Sequence, residues 1–312
     1  MVSKKQVTIV INTLSGGGAQ RVCVNVANGL INVGWQVDLV VLNYNNEAFL
    51  RHVSKKINLI QLNVNHTRYA SYSLLKYVYQ KKPNVFLVFN YELTVLLILL
   101  RSLLKFKYKI ISRNINTLSK KYEEFKQQNF WVKNVVGTLI DNFYCKADHV
   151  INQCYAMHED IVKLHPELKN NSSVIYNPIT NYILDYANSH DLNQIKKKNY
   201  LLCVGRLEKQ KAFHYAIEGF AGIAQKFPDL RLKILGEGSL KQELEQTSKD
   251  YSIADRVDFE GFQKNIIPYY LYAKATVLTS LNEGFPNVLI ESIILGTPVV
   301  SFDCPSGPEE LI

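Results

Sequence analysis

The sequence contains no apolar stretch long enough to cross a membrane. The longest lipid-like run, residues 93–100, has about eight residues, whereas a transmembrane helix needs about 20. The first five residues lead directly into an apolar run and carry no small-residue cleavage site of a secretory signal. The sequence therefore predicts a soluble protein.

Cysteine is also sparse, and its spacing is irregular. The five cysteines include no Cys-x-x-Cys pair, which argues against a disulfide framework or a zinc site. Unpaired cysteines fit a reducing compartment. The expected location is therefore the cytoplasm.

Acidic residues are scarce in the first half only. Residues 1–178 contain 22 Lys+Arg and 10 Asp+Glu, a net charge of +12, whereas residues 179–312 contain 14 and 17, a net charge of −3. The asymmetry predicts an anionic partner for the first half, and we expect peripheral attachment to the inner face of the cytoplasmic membrane. The alternative is a solubilising surface without a partner. Nucleic acid is not an expected partner, because no nucleic-acid-binding module is recognisable. The cations concentrated in the middle of this half are Lys76, Lys81, Lys82, Arg101, Lys105, Lys107, Lys109, Lys120 and Lys121.

Short apolar runs alternate with helical patterns along most of the chain. The first unit of this kind is an apolar run at residues 7–12, a glycine loop, a helix and a second apolar run at 37–42, which is a βαβ arrangement. Most runs are continuous, as expected for strands buried on both faces of a parallel sheet. A polar segment, 179–198, interrupts the pattern and is predicted to be a linker with little structure of its own. The fold class is therefore α/β: two Rossmann-like, doubly wound domains, 1–178 and 199–312, facing a cleft.

The segment from Glu283 to Glu291 carries the strongest chemical signal. It follows a predicted strand and opens a predicted helix, whose free amides would bind a diphosphate. Gly284 permits a tight turn, and Glu283 precedes the helix at the end of the strand. Two carboxylates at this spacing are common by chance, and helix capping with one solvated glutamate is the alternative.

A second group of residues follows the strand at 200–204. Arg206 offers a planar guanidinium and Lys211 a point charge, the two means by which proteins neutralise phosphate oxygens. In a nucleotide-sugar transferase these cations would stabilise the leaving nucleoside diphosphate. The alternative is a solvated loop with ordinary surface charges.

Two glycine-containing turns complete the pattern. Gly16, Gly17 and Gly18 lie in the first βα turn, where glycine lets the backbone approach a ligand. The turn matches neither Gly-x-Gly-x-x-Gly nor a Walker A sequence, which argues against an NAD-dependent oxidoreductase and a P-loop protein. A second turn contains Gly236 and Glu237, and alone it is weak evidence.

Taken together, these segments resemble a family 4 retaining glycosyltransferase of GT-B fold, of the kind that extends bacterial surface or lipid-linked glycans. The resemblance implies that Arg206 and Lys211 bind the donor diphosphate. It also implies that Glu283 contacts the transferred sugar and Glu291 the ribose. Other expected donor-site residues are Gly284, Phe285, Asn287, Val288, Gly236 and Glu237. The segments that carry the resemblance are 16–22, 204–211, 235–238, 283–291, 296–300 and, more weakly, 303–310.

The sequence departs from the family pattern in two places. Ala212 stands where a glycine usually follows the phosphate-binding lysine, so a differently shaped turn is expected. Family members usually continue beyond the position of Ile312 to a final helix, so the donor domain is expected to be incomplete at its C-terminal end. The sequence has no Asp-x-Asp motif, and we expect neither a metal ion nor a cofactor other than the nucleoside diphosphate sugar.

Two side chains of the first half have open interpretations. His149 starts a predicted strand and is expected to be structural. Arg113 follows another strand, and either contacts acceptor or phosphate, together with Gly16–Gly18, or is a surface arginine.

The predicted activity is transfer of a hexosyl residue from a nucleoside diphosphate sugar to a lipopolysaccharide-type or lipid-linked glycan, with retention and without metal. The first domain would bind the acceptor and the second the donor. A non-catalytic GT-B-like scaffold protein of a glycan assembly complex is the alternative.

Overall fold

The computed structural model describes residues 5–15, 17–44, 49–126 and 132–312. The chain forms two compact units, Met1–Pro178 and Ile179–Ile312. No helix in the described parts of the chain is both long and apolar enough to span a bilayer.

The first unit contains a seven-stranded parallel sheet in the order β3-β2-β1-β4-β5-β6-β7. Residues of β1 alternate between two core clusters: Ile9 belongs to one and Val10 to the other. Because the sheet is buried on both faces, its central strands are mostly apolar, whereas the edge strands include polar residues. The strands are β1 (Gln6–Ile11), β2 (Gln36–Val41), β3 (Asn58–Gln61), β4 (Val85–Val88), β5 (Lys109–Arg113), β6 (His149–Asn152) and β7 (Ser172–Val174). The helices are α1 (Gly18–Asn32), α2 (Ala70–Lys81), α3 (Tyr91–Leu104), α4 (Leu118–Lys126), α5 (Gly137–Phe143) and α6 (Tyr155–Leu164).

The second unit contains a five-stranded parallel sheet in the order β10-β9-β8-β11-β12. Its central strand β8 is buried on both faces, since Leu202 and Cys203 pack into different core clusters. The strands are β8 (Tyr200–Val204), β9 (Arg231–Leu235), β10 (Val257–Gly261), β11 (Ala275–Leu278) and β12 (Val299–Ser301). The helices are α7 (Asn181–Ser189), α8 (Phe213–Ala224), α9 (Lys241–Asp250), α10 (Ile267–Tyr272) and α11 (Asn287–Ile294). The predicted α/β class with two doubly wound parallel sheets is confirmed.

The segment 179–198 is not an unstructured linker, and that part of the prediction is wrong. It forms α7, and Ile183 of this helix is fully buried against the core of the second unit. Further along, Lys197 donates hydrogen bonds to Leu271 O at 2.8 Å and Thr297 Oγ1 at 2.6 Å. The polar composition of the segment concealed a short amphipathic helix, in which Ile183 is buried and the neighbouring Tyr182 is exposed.

Candidate functional site

The carboxyl ends of β8 and β9 carry two loops that pack backbone against backbone. Leu207 N donates to Glu237 O at 2.9 Å. A Cβ on Gly236, which has a φ of +135°, would lie 1.9 Å from Gly205 O. Only glycine fits at Gly236, because both the conformation and the space exclude a side chain. The predicted cationic segment after β8 and the predicted glycine turn after β9 thus form one structure.

The loop after β8 is also bonded to the loop after β11, which is the neighbouring strand. Thr279 Oγ1 donates to Lys211 O at 3.0 Å, and Leu281 N donates to Gln210 O at 2.9 Å. Carboxyl ends of parallel strands meet at one edge of a sheet, where ligands of such folds bind. The predicted cationic segment and the predicted acidic segment are therefore neighbours.

Lys211 and Glu283 form an ion pair at this edge. The distance from Lys211 Nζ to Glu283 Oε1 is 2.5 Å, and Ser280 Oγ donates to the same oxygen at 2.6 Å. The Glu283 residue is only 7% exposed. The lysine side chain passes over Gly205, where a Cβ would lie 3.1 Å from its Cε. The pair is a preorganised, water-poor electrostatic centre.

Arg206 differs from Lys211 in its environment. Its residue is exposed, and it has no ion pair among the described residues. It lies next to Glu208, whose pKa is lowered by hydrogen bonds from Ser239 and, less strongly, by the charge of Arg206. Arg206 is therefore accessible to a ligand in solution.

The acidic segment forms a turn followed by α11. Pro286 precedes the helix, and the segment Gly284–Val288 contains the turn and the first helical residues. Glu291 lies inside the helix, is 3% exposed and accepts a hydrogen bond from Tyr270 Oη at 3.0 Å. Glu283 and Glu291 are both buried acids, so the alternative of helix capping with a solvated glutamate is wrong.

Three polar side chains that contact the site were not predicted from the sequence. Ser280 donates a hydrogen bond to the carboxylate of Glu283, and Ser306 donates one to its backbone carbonyl. Tyr270 donates a hydrogen bond to the carboxylate of Glu291. Ser280 had a usable signal, because it lies just after β11 and three residues before Glu283. Ser306 lies in the segment 303–310, which carries the resemblance weakly but gave no role to any single residue, and Tyr270 had no signal.

In the first unit, Gly17 and Gly18 lie where β1 leads into α1, as predicted, and α1 begins at Gly18. Gly16 lies outside the described residues. His149 Nε2 is 2.8 Å from Ser173 Oγ, which fits a structural histidine.

Arg113, at the end of β5, is not a surface arginine: it is 4% exposed. Its Nη2 donates to Ile175 O and Asn177 Oδ1, both at 3.0 Å, whereas its buried Nε has no partner among the described residues. Burial lowers the pKa of Arg113 to about 10. The interpretation as a contact to acceptor or phosphate stays a prediction.

One group of potential metal ligands occurs among the described residues, namely Cys145, His165 and Glu167. It lies just before β6 and β7, at the amino-end edge of the first sheet. It belongs to the first unit, whereas the residues assigned to the donor belong to the second.

Two family models together match most of the chain. The model for Glycosyltransferase Family 4 matches residues 16–180, and that for Glycosyl transferases group 1 matches residues 186–312.

Individual relatives agree with these matches. An uncharacterized glycosyltransferase of Haemophilus influenzae is 29% identical over 99% of this chain and 83% of its own length. The amylovoran biosynthesis glycosyltransferase AmsD of Erwinia amylovora is 25% identical, over 97% of this chain and 82% of its own.

Solved structures share the fold. The lipopolysaccharide outer core galactosyltransferase WaaB superposes with a TM-score of 0.70 at 21% identity, covering 98% of this chain and 83% of that one. Anabaena HepE in complex with UDP-glucose superposes with a TM-score of 0.76 at 17% identity, covering 98% and 82%.

Proposed function

The chain belongs to glycosyltransferase family 4 and has the GT-B fold, and from this premise we propose its reaction. It transfers a hexosyl residue from a nucleoside diphosphate sugar to a hydroxyl of a growing surface glycan, of the lipopolysaccharide or lipid-linked type, with retention. The proposal on the acceptor is supported by the names of relatives, which include a lipopolysaccharide 1,6-galactosyltransferase of Salmonella typhimurium that is 33% identical over 45% of this chain and 39% of its own length.

The observation that carries the proposal is the Lys211–Glu283 ion pair beside the accessible Arg206. When a donor binds, the two cations neutralise the oxygens of its diphosphate, and the positive end of the α11 helix dipole adds further electrostatic stabilisation. As the glycosidic bond breaks, negative charge grows on the leaving diphosphate, and fixed cations stabilise that charge. Glu283 positions the transferred sugar and supports the positive charge that develops on it.

Donor binding is the first test. We expect one of UDP-glucose, UDP-galactose, UDP-N-acetylgalactosamine or GDP-mannose to raise the melting temperature, because a ligand that binds only the folded state stabilises it. Release of the nucleoside diphosphate should then show turnover. Binding without any turnover would favour the scaffold alternative, and the absence of binding by every nucleotide sugar would contradict the assigned site.

Metal independence is a second part of the proposal. In this proposal Lys211 and Arg206 neutralise the diphosphate in place of a metal ion, so excess EDTA should leave the rate unchanged. A loss of activity that is restored by Mg²⁺ or Mn²⁺ would contradict this.

The basic first half supports membrane attachment as a third part. Six of its lysines are exposed and lie near the ends of α2 and α3, where Tyr79 contacts Phe106 at 5.1 Å between ring centroids. The neighbouring Leu103 is 77% exposed. We call this surface the basic patch. Its lysines are Lys76, Lys81, Lys82, Lys105, Lys107 and Lys109. Arg101, Lys120 and Lys121 are instead paired with acids.

Each lysine near an anionic bilayer contributes roughly 1 kcal/mol. Co-sedimentation should therefore require anionic lipid and weaken with salt. The double variant K105E/K107E should reduce it at least tenfold, whereas K241E/K249E in the second unit should not. Equal sedimentation with neutral vesicles would contradict an electrostatic attachment.

A further inference from the structure

The loop at residues 303–308, which follows β12, packs directly on the turn that contains Glu283. Strand β12 pairs with β11, so the loops after these two strands lie side by side. Ser306 Oγ donates a hydrogen bond to Glu283 O, and Glu283 N lies 3.5 Å from Pro305 O. Both backbone polar groups of Glu283 are thus turned toward this loop.

Gly307 brings the loop into closest contact. Its φ is +94°, and a Cβ there would lie 2.6 Å from Pro286 Cδ and 2.9 Å from Gly284 O. A side chain at this position would both strain its own backbone and push the 284–286 turn away. Glycine is therefore required at this position for the 303–308 loop to pack against the 284–286 turn.

Ser306 is the more informative residue, because its conformation favours another amino acid. Its φ is +66°, in the left-handed region, where glycine is favoured over residues with a Cβ. The residue is 8% exposed, so its hydroxyl has little access to solvent. A glycine would fit the backbone better, but only a side chain can donate to Glu283 O. A serine in this strained conformation is explained if its hydrogen bond to Glu283 O is needed to hold Glu283 in place.

We propose that Ser306 is a positioning residue for sugar transfer, which holds the backbone of Glu283 so that its carboxylate stays at the Lys211 and Ser280 contacts. The inference rests on the proposed function. Ser306 itself contacts no reacting atom. Its effect is to keep the acid and the following amides in the geometry that the transition state needs.

The variant Ser306→Gly separates positioning from stability. It removes the hydroxyl and at the same time relieves the strained conformation, so the two effects on stability oppose each other. We expect a melting temperature within about 2 °C of the wild type, a donor KM within about threefold, and a kcat lowered by roughly ten- to a hundredfold. Ser252→Gly is the matched control: Ser252 is also left-handed, with a φ of +57°, but exposed. It should leave kcat unchanged.

A second pair of variants tests the loop contact. Gly307→Ala should lower kcat, because its Cβ displaces the turn. Gly34→Ala, with a φ of +85° and no atom within 4 Å of the added Cβ, imposes similar backbone strain in the first unit and should lower kcat no more than twofold.

Assays of the wild type distinguish failure of the proposed function from failure of the positioning role. They measure release of UDP from UDP-glucose, UDP-galactose and UDP-N-acetylgalactosamine, and of GDP from GDP-mannose. If the wild type turns over none of these donors, the proposed function fails and the inference fails with it. If it is active and Ser306→Gly retains the wild-type kcat, only the positioning role is overturned. A Ser306→Gly variant that loses kcat only in proportion to a fall in melting temperature would overturn it as well, because the residue would then be merely structural.

Discussion

Each unit presents a cation at the carboxyl edge of its parallel sheet, and the two cations are held in different ways. Lys211 is partly buried, and its charge is matched by Glu283. Arg113 is more deeply buried, and in the described chain its hydrogen-bond partners are two backbone carbonyls and one side-chain amide, with no carboxylate. Lys211 is therefore electrically balanced before any ligand arrives, whereas the folded first unit carries an unmatched buried charge.

The paired lysine and the unpaired arginine should affect the stability of the protein in opposite ways. A buried pair is costly to break, because the remaining partner stays buried and unmatched. A buried single cation is costly to keep, as the lowered pKa of Arg113 indicates. A buried charge of this kind without a nearby counter-charge among the described residues is typical of a functional site. We therefore expect a substitution of Lys211 to lower both stability and activity, and a substitution of Arg113 to lower activity without lowering stability.

The largest effect is expected at Lys211. Lys211→Ala removes a preorganised cation from the leaving diphosphate and should reduce turnover about a hundredfold or more. Affinity for UDP should fall as well, measured by calorimetry. Stability should also drop, because Glu283 loses its counter-charge. Lys209→Ala, an exposed lysine in the same short 3₁₀ turn, is the control and should keep full activity.

The double variant Lys211→Met with Glu283→Gln isolates the catalytic part of this loss. It removes both charges, so thermal stability should return to near the wild-type value while turnover stays low. Recovery of turnover along with stability would mean that the pair only supports the fold. Unchanged UDP affinity in Lys211→Ala would remove the residue from the donor site.

An effect of about tenfold is expected at Arg113, and only in reactions with an acceptor. Arg113→Gln keeps hydrogen-bond donors for the carbonyls and removes the buried charge. Burial lowers the pKa of Arg113 to about 10, so keeping the charge in this position is unfavourable for the folded state. The melting temperature of the variant should therefore stay the same or rise.

Transfer to acceptor and hydrolysis of the donor should then respond differently in Arg113→Gln. Transfer should slow about tenfold, the order expected for losing one charge-assisted contact, while donor hydrolysis stays unchanged. If both rates fall together with the melting temperature, Arg113 only ties residues 175–177 to the sheet, and the contrast with Lys211 disappears.

The same contrast shows what the sequence could predict. Strands and glycine loops of both units were predicted because each depends on local pattern: a continuous apolar run followed by glycine. The Lys211 and Glu283 segments were each assigned to the donor, but they are 72 residues apart, and only the pairing of β8 with β11 brings them together. The burial of Arg113 depends on residues 175–177, about 60 positions later, and no local pattern contains it. Helix α7 was missed for another reason: the segment 179–198 that contains it is mostly polar, and within the helix only Ile183 is buried.

The smallest effect is expected at Ala212, the residue that follows Lys211 and stands where the family usually has glycine. Ala212 adopts φ 45° and ψ 44° and is 1% exposed, so the turn already has the left-handed shape that a glycine permits. Ala212→Gly relieves about 1–2 kcal/mol of left-handed strain. Against this, it removes a buried methyl worth about 0.8 kcal/mol and adds about 0.4–1 kcal/mol of unfolded-state entropy. The opposing changes nearly cancel, and we expect the free energy of unfolding to change by less than about 1 kcal/mol, with turnover within twofold of the wild type.

Ala212→Val is the contrasting variant: a β-branched side chain is strongly disfavoured at positive φ, so it should lose stability and displace Lys211. Urea unfolding and donor turnover measure both variants. A several-fold rise in turnover for Ala212→Gly would show that alanine holds Lys211 in a suboptimal position, and Lys211 would then not be as well preorganised as its contacts with Glu283 indicate.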